Sequence, residues 1–452
     1  MDPAYANGET RRADAVLRDV AGGGNGRDRG LPGDAQMKAS EDKPRRNRAV
    51  FRLLRLPLGV IAAMAILGVV LVYLAAPLNI AARIGPYPGV AWVLHTYMKQ
   101  WARNWSYWVE KPDYVDLSNP ALVRLGAGYY ETGCAACHGA PGRERNPLVR
   151  LMEPAPPSLA SEEVANFSDK ELYWIVWNGV RYTAMPGWTG DNRQDEVWAI
   201  VAFMREYGAI APRDYVRLAY GEVQPKGLGG GGAMSFGGLD DRLDKTVQDC
   251  ARCHGRDGMG RDGTAPKLAG QTHEYLAATL DGYASGKRAS GIMQPIAAPL
   301  SGDEVERLAA HYADLPSRAV ASEAQAPARA AADVPDGALV ALGQRIAAEG
   351  DPDRFVPPCG ACHEGSGAVR PRAEYPRIAG QDSRFIEAWL RLYRDGPAGG
   401  TDFAEVMHVS AQGLTDRQIK ALAAWYSSRP YDAQAGAVEQ ARSGDAAAAP
   451  PY

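Results

Sequence analysis

Cys134-Ala-Ala-Cys-His138, Cys250-Ala-Arg-Cys-His254 and Cys359-Gly-Ala-Cys-His363 decide how the rest of this 452-residue sequence is read. Together they use all six cysteines of the chain, and they begin 116 and then 109 residues apart. That is an internal repeat at the scale of whole domains, longer than the period of a solenoid. Six thiols are too few to staple so long a chain, so their spacing carries the meaning. In each stretch two thiols and a histidine share one helical turn. A redox dithiol does not call for the histidine, and a zinc site ordinarily takes four ligands.

The pattern that remains is covalent attachment of haem c, in which two thiols meet the two vinyl groups of one porphyrin and the adjoining histidine takes the iron. Three such groups are expected, on Cys134 and Cys137, Cys250 and Cys253, and Cys359 and Cys362, with His138, His254 and His363 as axial ligands. The opposite axial position suits a methionine thioether, which raises the potential. Met185 follows His138 by 47 residues in Thr183-Ala-Met-Pro-Gly187, and Met293 follows His254 by 39 in Gly291-Ile-Met-Gln-Pro295. Met407 follows His363 by 44 residues, with His408 beside it as the alternative ligand. Core packing is the plain reading that competes for each methionine. Arg181, Tyr182 and Trp188 flank Met185 and are placed to tune its site, while Pro147, Pro266 and Pro376 are expected on the histidine sides.

Around each motif the order of parts is the same: a helix into the motif, a Pro/Gly-rich loop, a helix, a methionine, and a closing amphipathic helix. Ser168 to Glu171, Ser301 to Glu304 and Thr415 to Gln418 have capping-box spacing. Apolar residues recur at helical spacing in the closing helices: Val197, Ile200, Val201 and Met204; Val305, Leu308, Ala309 and Tyr312; Ile419, Leu422, Ala423 and Tyr426. Pro266-Lys-Leu-Ala-Gly-Gln271 returns as Pro376-Arg-Ile-Ala-Gly-Gln381, which marks a duplication. The reading is all-α, with domains at 118–212, 239–316 and 336–430, a Gly-rich linker at 225–238, an Ala/Pro linker at 317–335 and a disordered tail at 431–452.

Leu56 to Ala82 gives 27 consecutive residues without a charge, where about 20 suffice to span a bilayer. Lys43, Arg45, Arg46, Arg48, Arg52 and Arg55 precede this run and Arg83 alone closely follows it, so the positive-inside rule keeps the N-terminus cytoplasmic. One N-terminal transmembrane anchor at 49–83 is expected, after a disordered tail at 1–48, with everything beyond it exported; a cleaved signal peptide is the rival. The segment 84–117 carries Trp92, Tyr97, Trp101, Trp105, Tyr107, Trp108 and Tyr114 and suits a membrane interface or packing on the first domain. The net charge of −3, with both signs mixed along the chain, argues against nucleic-acid binding.

These motifs resemble class I cytochrome c domains, and the second and third units together resemble the dihaem bacterial cytochromes of the c-four type. Glu364 departs from the pattern, because Gly139 and Gly255 stand at the corresponding places of the other two motifs. The resemblance implies electron transfer in a bacterial respiratory chain, at the periplasmic face of the inner membrane. Partners would be a quinol-oxidising complex or dehydrogenase subunit on one side and a terminal oxidase or soluble cytochrome on the other. With both axial positions filled the chain is an electron carrier and no enzyme. The competing reading is a haem enzyme, peroxidase-like or thiosulfate-oxidising, with one open or unusually ligated iron.

Overall fold

A computed structural model describes residues 59–71, 73, 89–221, 242–261, 265–316, 336–364, 372–396 and 398–431. The chain divides into an N-terminal part ending at Ile80 and a main body from Ala81 onward, which holds the three thiol-motif units. In the first, residues 59–71 are helical, and Val60, Ile61, Met64, Ile66, Leu67, Val69 and Leu71 each leave more than half their surface uncovered. Most of the expected span at 49–83, and all of the expected tail at 1–48, lie outside the described residues. Among the described residues no helix is long and apolar enough to cross a membrane.

Among its described residues the main body is helical, with isolated bridges at Ala140 to Arg143 and Asp351 to Val356 as the strand-like pairings. Its longer helices are α1 (Val90–Trp105), α2 (Pro120–Gly133), α3 (Asp169–Asn178), α4 (Gln194–Glu206), α5 (Pro212–Tyr220) and α6 (Arg242–His254). They continue as α7 (His273–Ala284), α8 (Gly302–Asp314), α9 (Gly337–Glu349), α10 (Ser383–Asp395), α11 (Ala404–Ala411) and α12 (Asp416–Ser428).

Local signals set the helix starts. All three expected capping boxes form, at Ser168, Ser301 and Thr415, each side chain taking the N3 backbone N–H while the N3 side chain returns to the cap. The closing helices bury the expected stripes, except that Met204 is half-buried at the edge of the first. Val197, Ile200 and Val201 on α4, Val305, Leu308 and Ala309 on α8, and Ile419, Leu422 and Ala423 on α12 are all nearly inaccessible.

In two units the opening and closing helices cross at a glycine. A Cβ on Gly126 of α2 would stand 1.9 Å from the Ala199 carbonyl oxygen of α4. A Cβ on Gly343 of α9 would stand 2.0 Å from the Ala421 oxygen of α12. At such contacts backbone meets backbone, and no side chain can be inserted without driving the helices apart. The first unit's core continues past residue 212, because Tyr215 and Ala219 of α5 join Tyr130 and Phe203 in one buried cluster. Tyr431 is likewise buried, and 432–452 lie outside the described residues.

Candidate functional site

Each thiol pair sits on a helical turn. Cys134 ends α2, and its carbonyl accepts from the His138 N–H at 3.0 Å; Cys250 and Cys253 lie in the last turns of α6; Cys359 leads into the turn Gly360–His363 and accepts from the His363 N–H at 3.0 Å. None of the six is in a disulfide. Burial pushes the Cys134, Cys250 and Cys359 thiols up to about 12.

The histidines are held alike. Nδ1 of His138 lies 2.9 Å from the Pro157 carbonyl oxygen, Nδ1 of His254 lies 2.9 Å from that of Pro266, and Nδ1 of His363 lies 3.0 Å from that of Pro376. A carbonyl can only accept, so the ring proton is fixed on Nδ1 and the lone pair on Nε2. Burial lowers all three imidazoles from their ordinary range and so favours the neutral form. A neutral imidazole with its second nitrogen committed to a carbonyl is the form that ligates a metal. Two of the three expected prolines thus do lie on the histidine side. In the first unit it is Pro157 and not Pro147, since Pro147 opens the short helix Pro147–Arg150 instead.

The methionines occupy loops or loop-edge helices. Met185 packs at the margin of the first unit's core, its N–H on Thr183 Oγ1 at 3.1 Å. Met293 opens a five-residue helix, its N–H on Ser290 Oγ at 3.0 Å. Met407 lies on α11, and His408 beside it turns toward α10, with Nδ1 at 2.6 Å from the Tyr393 carbonyl oxygen. Phe403, one turn before Met407, meets the Tyr375 ring edge-on at 5.2 Å, and Tyr375 lies 6.3 Å from the His363 ring. Glu364 keeps a negative φ of −123°, whereas Gly139 and Gly255 turn left-handed at +75° and +80°. The chain therefore leaves the third motif along a different path, one a glycine is not needed to follow.

The donor set fits haem c: paired thiols, neutral histidines with Nδ1 tied back, and thioethers. A further fit is Arg288, which is 5% exposed and has a buried Nε without a hydrogen-bond partner. Its guanidinium lies 3.9 Å from the centre of the Trp389 ring and 5.2 Å from that of Tyr283. A buried cation of this kind suits a carboxylate such as the propionates a porphyrin carries.

Two features that sequence reasoning missed join the units. The duplicated loops clasp each other: the Lys267 and Arg377 N–H groups each donate at 2.9 Å to Oε1 of Gln381 and Gln271, respectively. The same glutamines return Nε2 to the Lys267 oxygen at 2.9 Å and the Arg377 oxygen at 2.8 Å. Between the first and second units stands Glu196, 2% exposed. Its carboxylate accepts from Trp188 Nε1 at 3.0 Å, Ser290 Oγ at 2.6 Å and the Gly291 N–H at 2.7 Å, and it pairs with Arg193 at 2.9 Å. The duplication itself signalled the first contact; the second had no local signature.

Comparison with known proteins agrees with this chemistry. The family described as "Cytochrome C oxidase, cbb3-type, subunit III" matches residues 121–204, and that described as "Cytochrome c" matches 244–312. The chain is 37% identical to the "Thiosulfate dehydrogenase electron acceptor" of Thiomonas intermedia, over 40% of this chain and 78% of that protein. It is 33% identical to the protein of the same description from Stutzerimonas stutzeri, over 40% and 78%. It is 32% identical to the "Cytochrome c4" of Thiocapsa roseopersicina, over 38% of this chain and 83% of that one. With thiol pairs, carbonyl-tied histidines and these relatives together, the chain belongs to the class I c-type cytochromes, related to cytochrome c4.

Proposed function

We propose that this chain is a membrane-anchored trihaem electron carrier with haem c on Cys134 and Cys137, Cys250 and Cys253, and Cys359 and Cys362. Its axial pairs are His138 with Met185, His254 with Met293, and His363 with Met407. The observation that carries this reading is the threefold recurrence of a histidine Nδ1 tied to a proline carbonyl beside a buried thiol pair. Haem c held by these thiols, histidines and methionines would supply one-electron transfer without binding a substrate. The chain's residues orient Nε2, exclude water and set the charge around each site.

In the third unit Met407 is the ligand and His408 a packed residue. Phe403, one turn before Met407, connects through Tyr375 to His363, which places the Met407 turn beside the third motif. A haem enzyme with an open or unusually ligated third site is the second reading, with His408 as the other candidate ligand, since its Nδ1 bond to the Tyr393 oxygen leaves Nε2 free.

The exposed apolar helical residues 59–71 support an anchor in the bacterial inner membrane with the remainder in the periplasm. On α1, Trp92 and Tyr97 are each 71% exposed, while Trp105 stacks on Trp174 of α3 with ring centres 6.2 Å apart. Such a helix holds the first unit with one face and leaves aromatic rings for the lipid interface. Relatives described as electron acceptors of thiosulfate dehydrogenase point to a periplasmic dehydrogenase as donor. The oxidase-subunit likeness of residues 121–204 points to a terminal oxidase as acceptor.

Haem content per chain with a redox titration followed optically and by EPR tests the proposal. Three low-spin haems with the methionine-to-iron band and no carbon monoxide binding are expected. A high-spin or ligand-binding haem would put the enzyme reading first.

A further inference from the structure

The first unit sits on the second at the loops that carry their methionines. Trp188 is three residues past Met185, and Ser290 and Gly291 immediately precede Ile292 and Met293. A Cβ on Gly291 would fall 2.2 Å from the Trp188 ring, and one on Gly190 would fall 2.6 Å from the Gly291 nitrogen. The loops therefore meet closely, Gly190 against the Gly291 backbone and the Trp188 ring against Gly291, where nothing larger than glycine fits.

Glu196 ties them together. One oxygen accepts from Trp188 on the first loop and from the Gly291 N–H on the second; the other accepts from Ser290, whose Oγ in turn accepts the Met293 N–H at 3.0 Å. Burial and the neighbouring Asp195 raise this carboxyl above its ordinary range, and the Arg193 cation with the Ser290 and Gly291 donors works against them toward the ionised form. Arg193 completes the junction by reaching the Ala289 oxygen at 3.2 Å and lying over Trp389 of the third unit at 5.3 Å. The first unit also touches the second motif itself. A Cβ on Gly128 would lie 3.7 Å from Cys253 Sγ, and Arg252 reaches Thr132 Oγ1 at 3.2 Å.

We infer that Glu196 is a positioning residue shared by two haem sites: it fixes the Met185 and Met293 loops against each other, so that electrons pass directly between the first and second units and their two potentials are set together. The first and second meet through their methionine loops, and the second and third through the loops whose prolines hold the histidines. The transfer moves one electron from a ferrous to a ferric iron and needs no proton or further reactant.

This inference rests on the proposed ligands, and its test separates the two. In the full-length holoprotein, Met185→His and Met293→His assign two components of the potentiometric titration. If neither variant moves a component, the ligand reading fails and takes the inference with it. With the components assigned, Glu196→Gln is expected to shift both upward, because loss of a negative charge disfavours the ferric state. The third component should stay in place and the methionine-to-iron band should remain. Asp195→Asn is the control, since Asp195 pairs with Arg193 at 2.9 Å but contacts neither methionine loop. It should move both components less than Glu196→Gln does. Should Glu196→Gln fail to assemble, Ser290→Ala removes one contact from the second side and is expected to move the first unit's component as well as the second's. A shift confined to one haem, or an equal shift from Asp195→Asn, would overturn the shared-positioning role while leaving the three-haem reading intact.

Discussion

Replacing Gly343 by alanine should destabilise the third unit, although alanine is the better helix former. Helix propensity alone favours the substitution by about 1 kcal/mol. Against this, the added Cβ would stand 2.0 Å from the Ala421 carbonyl oxygen, 2.6 Å from its carbonyl carbon and 2.7 Å from the Trp425 Cβ. The oxygen contact is about 1 Å inside the 3.0 Å that real Cβ atoms respect, and the atoms it meets are backbone and cannot swing aside. Relief requires α9 and α12 to part along a seam that includes Ile346, Leu422 and Tyr426, each almost wholly buried. Overpacking of this kind costs about 1–3 kcal/mol and sometimes more. Here the rigid contact puts it at the upper end, for a net loss of about 2 kcal/mol after the propensity gain. For a domain of this size that lowers the melting temperature by roughly 8–16 °C. Thermal unfolding of the holoprotein, followed by circular dichroism in the far ultraviolet and in the haem band, reads it directly. An unchanged or raised melting temperature would mean that α9 and α12 do not cross at Gly343, and the helical frame drawn for the third unit would be wrong.

Further outcomes follow from the same contacts. Met407→Ala should abolish about one third of the methionine-to-iron absorbance, whereas His408→Ala should leave it intact and cost only its bond to Tyr393, roughly 1 kcal/mol by denaturant titration. Gln271→Ala strands a half-buried N–H and carbonyl of Arg377 and should cost about 1–2 kcal/mol. Adding Gln381→Ala should cost less than the two single losses combined, because the first already loosens the clasp; chemical denaturation of the four species measures the difference. Hydrogen bonds from Arg394 and Arg391 hold the Asp416 carboxyl below its usual range. The stability this contributes is complete above the unfolded carboxyl value near 4 and is lost as pH falls through the folded one. Asp416 is 66% exposed, so the acid-dependent part removed by Asp416→Asn should stay under about 1 kcal/mol in an acid titration of stability.

What could be read in the sequence was what local chemistry decides. Ser168, Ser301 and Thr415 start helices because their side chains bond three residues ahead, and the stripes beginning at Val197, Val305 and Ile419 bury because helical period alone puts them on one face. The thiol pairs and histidines were visible for the same reason. Pro157 was missed because the first unit's loop is longer, with the accepting carbonyl 19 residues from His138 against 12 and 13 in the other two units. Glu196 reads as an ordinary acid in the first turn of a helix, a place that favours it in any case. Its partners are about 95 residues away on another unit, so only the folded chain reveals the junction.

The clasp of Gln271 and Gln381 has the symmetry of a homodimer, since each partner gives and receives the same two bonds. An isologous contact of this kind is self-complementary, so a single such unit can in principle bind a second copy of itself. Fusing two copies into one chain replaces a concentration-dependent association with an intramolecular one, whose effective concentration a tether sets at the millimolar scale. The bonds also explain how the pair can diverge. All four fall on backbone atoms of Lys267 and Arg377, and these two side chains add one bond each, to the Gly380 and Gly270 carbonyls, so lysine and arginine can stand in for one another while the register between the units holds.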